Sequence, residues 1–185
     1  MRMTSVIFMI HLGMLKGITI YEGKLVTIFK KEWVQVTLLT FLSIFAPLIL
    51  KSPQLLVGSV VNLVLTFSVL RLGFKKTLPS VVLPSLVAFS SSVLFGGATF
   101  FLIYFLPVIF LGNAIYILLI KNLSASFLSI VVGSVCKALF LFLFAYIFVN
   151  HFNLPSIFLS SMGYMQFITG VIGGSVGLVV YKKSI

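Results

Sequence analysis

"FLSIVVGSVCKALFLFLFAYIFV", residues 127–149, decides the fold, and its single charged residue is Lys137. An α-helix needs roughly 20 apolar residues to cross about 30 Å of hydrocarbon, and this stretch meets that length. Inside lipid every backbone N–H and C=O must find a partner within the protein, which leaves only helices and closed barrels. Barrel strands alternate polar and apolar residues over short segments, and residues 127–149 do not alternate. The stretch reads as a transmembrane helix.

The same texture extends over most of the 185 residues. Hydrophobic residues make up 61% and charged residues 8%, with a mean hydropathy of +1.27, far outside the range of water-soluble domains. Charges, prolines and glycine pairs cut the sequence into six spans: Trp33–Leu50, Gln54–Leu72, Leu78–Gly96, Ala98–Ile120, Phe127–Val149 and Ser156–Tyr181. The expected fold is an all-α integral membrane protein, a six-transmembrane-helix bundle with short loops. Residues 33–185 form its membrane domain. Residues 1–32 form a leader whose short apolar core is interrupted by His11 and Lys16 and lacks a convincing small-x-small cleavage site. It reads as an interfacial helix, a mobile leader or an over-extended start, and the sequence leaves these open.

Cations fix the expected orientation, because basic loops are retained on the cytoplasmic side. With the N-terminus inside, the inner segments hold Lys24, Lys30, Lys31, Arg71, Lys75, Lys76, Lys121, Lys182 and Lys183, while the outer loops hold only Lys51. Both termini are therefore expected in the cytoplasm. The net charge of +11 follows from this asymmetry and from attraction to anionic lipids of the bilayer, so no nucleic-acid partner is invoked.

Enzymatic readings lack parts. The acidic residues are Glu22 and Glu32, and the histidines are His11 and His151, so paired-carboxylate chemistry has no candidates and the chain is not read as an enzyme. The lone Cys136 cannot hold an iron–sulfur cluster or a zinc ion, and no metal site is expected.

Polar residues inside the spans remain, and each must be satisfied within protein or a wet cavity. Lys137 lies about ten residues, or roughly 15 Å, from either end of its span, too deep to reach the interface easily. A central lysine costs about 2.5–3.5 kcal/mol to insert, which something in the bundle must offset. Asn113 lies in the fourth span, about one and a half turns after the helix-kinking Pro107. Gln166 lies in the sixth span on a stripe with Gly163, Gly170, Gly173 and Gly177, whose steps of three and four let another helix approach closely. Asn113, Lys137 and Gln166 are the candidate substrate-binding residues, and the four glycines the candidate packing surface. Two accounts stay open. Either the three polar groups bond each other or freed carbonyls as interhelical glue, with Lys137 a neutral amine, or they hold a ligand carrying a carboxylate, a phosphate or a strongly polar carbonyl.

The segments "PVIFLGNAIYIL", "GSVCKALFLF" and "GYMQFITGVIGGSVGLVVY", set in six short-looped spans, resemble the S component of an energy-coupling-factor (ECF) transporter, in an uncharacterised branch. The resemblance covers roughly residues 33–183 and is strongest from the fourth span onward. It implies a multi-pass protein of a prokaryotic plasma membrane that binds a micronutrient-like small molecule for uptake. It also implies partners: a transmembrane coupling subunit and two ATPase subunits. This chain carries no phosphate-binding loop of the G-x-x-x-x-G-K-[ST] type, so it holds no cofactor of its own and the partners would use the ATP. Many S components dock through two alanines four apart in the first span, and this chain departs from that pattern with Ser43 and Ala46, three apart, before Pro47. Two rivals need no such partners: a structural six-helix scaffold of the rod-shape-determining type, and a small-solute transporter working alone.

Overall fold

A computed structural model describes residues 31–50, 54–91 and 95–184. Apart from Lys31 and Glu32, the leader expected over 1–32 lies outside the described residues. By compactness the chain divides into residues 1–37 and 38–185. The described part of the first unit is the opening of helix α1 (Glu32–Ile49), where the Val34 and Gln35 N–H groups both bond the Lys31 carbonyl.

In the second unit the described residues form helices joined by short turns, with no strand among them. After the remainder of α1 come α2 (Gln54–Leu72), α3 (Phe74–Ser91), a 3-10 turn over Gly96–Phe101, α4 (Leu102–Asn122), α5 (Phe127–Phe152), α6 (Ile157–Met162) and α7 (Tyr164–Lys183). Among the described residues five stretches are long and apolar enough to cross a membrane: Glu32–Ile49, Gln54–Leu72, Gly96–Asn122, Phe127–Phe152 and Ile157–Lys183. Helix α3 falls short of that apolarity. It starts at Phe74 rather than at the expected Leu78, and so takes Lys75 and Lys76 into its first turn, while Pro79 and Pro84 lie further inside it.

Two other boundaries differ from expectation. The fourth span opens as a 3-10 turn before α4 begins at Leu102, since Gly96 sits at φ +55° and the α-helical ladder starts only after it. The sixth span is broken at Gly163, with φ −95° and ψ −110°, into α6 and α7. A Cβ at Gly163 would lie 2.7 Å from the Leu159 carbonyl, so a larger residue could not make this break unchanged.

Helix ends follow local chemistry. Ser126 caps α5 by accepting from the Ser129 N–H while Ser129 Oγ accepts from the Ser126 N–H, so two otherwise orphaned donors are satisfied reciprocally. Asn153, at φ +53°, ends the helix in the left-handed conformation that asparagine tolerates better than most residues.

The most extensive helix pair joins α2 to α7, although 91 residues separate Leu72 from Tyr164 in register with them only through the fold. Small residues make the closeness possible. A Cβ on Gly173 would strike the Ser59 carbonyl of α2, and one on Gly177 would lie 2.6 Å from the Leu63 carbonyl. These contacts pair Gly173 with Ser59 and Gly177 with Leu63, so the two helices run parallel. Gly170 instead faces Ser134 of α5, and Gly174 faces Ile130, an antiparallel pairing. Lipid tails are as apolar as leucine, so such backbone approach and its dispersion contacts hold helices together where a hydrophobic driving force is missing.

Two apolar clusters fill the interior. One gathers Leu65, Val69, Val81, Tyr116, Ile117, Ile120, Ile130 and Leu178 toward the end of the bundle that carries Arg71, Lys75, Lys121, Lys182 and Lys183. The other gathers Ala88, Leu102, Phe105, Val108, Leu141, Ala145, Leu154, Phe158 and Met162 toward the opposite end. A polar layer separates them.

Candidate functional site

The layer is built from one residue in the middle of each of several helices. On α2, Gly58, Asn62 and Thr66 recur every fourth residue and share a face. On α5 that depth is occupied by Lys137, only 2% exposed. Its Nζ donates to Asn62 Oδ1 at 2.8 Å and sits 5.3 Å from the centre of the Tyr116 ring, within range of a cation–π contact. Lysine only donates, which fixes the Asn62 amide: its oxygen faces Nζ, and its Nδ2 donates to the Gly58 carbonyl at 2.9 Å and to Thr169 Oγ1 at 3.2 Å. Thr169 in turn donates to the Gln166 carbonyl at 3.3 Å.

Beneath this runs a second chain of hydrogen bonds. The fully buried Tyr116 donates to the Gly170 carbonyl at 3.0 Å, which leaves Thr66 Oγ1, 2.9 Å away, to donate to the Tyr116 oxygen. Tyr116 thus ties α4 to α7 and α2 directly below the lysine.

A cavity of about 100 Å³ opens on the other side of Lys137. Asn113, Lys137 and Gln166, the three residues singled out by sequence, all line it. The fold brings them together on one cavity, but their hydrogen bonds go to other partners: Asn113 Nδ2 donates to the Val81 carbonyl at 3.4 Å, and Lys137 bonds Asn62. Gln54, Ser85 and Asn62 add polar groups, and Val57, Val61, Ala88, Leu102, Ile109 and Met162 supply apolar wall. Gln54 and Leu102 open α2 and α4, at the end of the bundle opposite Arg71, Lys75, Lys121, Lys182 and Lys183. Asn62 lies eight positions after Gln54, so the cavity floor is roughly 12 Å from that end at 1.5 Å per residue. The break at Gly163 sets Met162 and Gln166 on the same wall, in keeping with the rule that irregular backbone at membrane depth is tolerated where it borders a cavity.

The glycines divide their work. Gly170, Gly173 and Gly177 lie at helix–helix contacts, while Gly163 makes the helix break. Gly58 and Gly174 belong to the same seams and were not singled out by sequence. Asn62 is the principal residue that sequence reasoning missed. It obeys the rule that selected Asn113, an amide deep in an apolar span, and the signal was the spacing Gly58–Asn62–Thr66.

Ser43, Ala46 and Pro47 of α1 are buried, and Pro47 joins the cavity wall. The outward face of α1 is instead Leu38, Phe41, Leu42 and Phe45. The small residues matched to the docking alanines therefore point into the bundle. Among the described residues no three His, Cys, Asp or Glu side chains gather in a metal-binding cluster. Comparison with family models, curated proteins and solved structures finds no match.

Proposed function

We propose that this chain is the substrate-binding membrane subunit of an uptake system, of the ECF S-component kind, energised by ATPase and coupling subunits on other chains. The observation that carries this reading is the cavity, floored by Lys137, Asn62 and Asn113 and walled by Gln166, which opens at the end of the bundle opposite the cluster of Arg71, Lys75, Lys121, Lys182 and Lys183. Under the positive-inside rule that end is the outer one, so the site accepts solute from outside the cell and both termini lie in the cytoplasm. Polar groups deep in a bundle ordinarily mark a substrate path, because burying them costs stability unless something binds there. A structural scaffold accounts for the Lys137–Asn62 hydrogen bond but has no use for a polar-floored cavity, and a stand-alone transporter uses the same site without the partners.

Purification from the native membrane followed by mass spectrometry of bound small molecules tests the proposal. The expected result is a specific small solute that is absent from the Ala88→Trp protein, whose indole fills the cavity, together with co-purifying ATPase and coupling subunits. Recovery of cell-wall or cytoskeletal partners without a solute would favour the scaffold. A solute without ATPase partners would favour the lone transporter.

A further inference from the structure

The solute-binding reading leaves the solute's chemistry open, and the charge around Lys137 narrows it. Residues 38–185 contain no Asp or Glu, so no side chain of the helical unit can neutralise the lysine. Among the described residues its hydrogen-bond acceptor is the neutral Asn62 amide, although an ammonium carries three donors. The group is nine-tenths buried and more, and it lines the cavity.

Resting on the solute-binding reading, we propose that the occupant is a small organic monoanion, a carboxylate on a short apolar body, and that its carboxylate is the counter-ion of Lys137. One cation takes one negative charge, whereas a dianion would leave a buried charge uncompensated. The carboxamides of Asn113 and Gln166 offer donors to the second carboxylate oxygen. Val57, Val61, Ala88 and Ile109 cover the apolar body, which an inorganic anion would leave unfilled. An apolar cavity of about 150 Å³ accommodates benzene, so about 100 Å³ encloses on the order of four or five heavy atoms, with longer bodies extending through the mouth. The neutral amides and the lysine exclude a cation as occupant.

The full chain in detergent tests this by titration with sodium butyrate, butyramide, sodium succinate and sodium chloride at millimolar concentration, read by the shift in Tm and by ligand-observed NMR. Butyrate is expected to bind about tenfold or more tighter than butyramide, the gain of a charge-assisted hydrogen bond, and succinate and chloride to bind more weakly than butyrate. Asn62→Asp is the decisive variant, because it supplies the lysine with an internal carboxylate and keeps the side-chain shape. It should fold and lose butyrate binding about tenfold or more. Equal binding of butyrate and butyramide, or butyrate binding unchanged in Asn62→Asp, would overturn the monoanion. If butyramide binds and Ala88→Trp abolishes that binding, the cavity remains a solute site and only the anion assignment falls. Binding of chloride or succinate as tight as butyrate overturns the organic monoanion, and binding of none of the four overturns it outright.

Discussion

Lys137 Nζ and Asn62 Oδ1 lie 2.8 Å apart across 75 residues of sequence, and both side chains are buried. The contact joins α5 to α2 at mid-depth and also feeds the Asn62 amide into the hydrogen bond with Thr169 of α7. One lysine therefore organises three helices and the cavity floor, which makes it the most informative residue to change.

Lys137→Met keeps the length of the side chain and removes its charge. Asn62 Oδ1 loses its donor, a loss of about 1–3 kcal/mol, while the bundle is relieved of burying an ammonium, and the two effects oppose each other. The protein is expected to remain inserted and folded with a Tm near that of the wild type, and to lose solute binding. Solute binding unchanged in this variant would remove Lys137 from the site, and loss of all folded protein would point to interhelical glue.

Tyr116→Phe separates structure from binding. It removes the hydroxyl that donates to Gly170 and accepts from Thr66, leaving two buried partners unpaired at about 1–3 kcal/mol, yet it preserves the ring beneath Lys137. Thermal unfolding should show a lowered Tm, and titration should show solute affinity within a few-fold of the wild type. A large loss of affinity with no change in Tm would mean that the hydroxyl itself serves the ligand.

Gly173→Leu should impair folding more than Gly170→Leu, and both more than Leu178→Ala. At Gly173 the obstacle is the Ser59 backbone of α2, which moves only with its helix, whereas at Gly170 it is the Ser134 hydroxyl, a side chain that can rotate. Leu178→Ala leaves a void without forcing the helices apart. The yield of monodisperse protein on size exclusion gives the order, and equal tolerance of Gly173→Leu and Leu178→Ala would place the stripe against lipid.

Orientation is checked by labelling with an impermeant thiol reagent. Cys136 is exposed and is first changed to Ala. Cysteines then placed at Gly97 and His151 should react from outside intact cells, and one at Ser184 should not; all three positions are exposed. The reverse pattern would invert the assigned topology.

Much of this architecture was legible because hydrocarbon thickness imposes a length that any helix must satisfy, so α2 and the start of α5 fall where Gln54 and Phe127 announce them. Interruptions were harder to read. Gly163 resembles its neighbours Gly170 and Gly173 in spacing, yet it breaks the helix while they pack against others, and only three-dimensional neighbours such as Leu159 and Phe142 tell them apart. The same holds for the site. Lys137 stood out because charge in lipid is expensive, but the choice of Asn62 over Asn113 as its partner depends on which helix lies against α5, and no periodicity within a single span carries that information.

The α2–α7 seam has a consequence in time. Helices emerge from the ribosome in order, so α2 and α5 reach the membrane before α7 has been made, and Asn62 and Lys137 meet there without Thr169 or the Gly173 backbone against them. Helix α7 therefore acts as the closing stave of a barrel-maker's cask: until it lies beside α2, the cavity lacks the wall that Gln166 supplies. A chain ending before Tyr164 would lack both the Thr169 hydroxyl that bonds Asn62 and the Gly173 backbone that packs on Ser59, and so would leave the lysine layer uncovered on the α7 side.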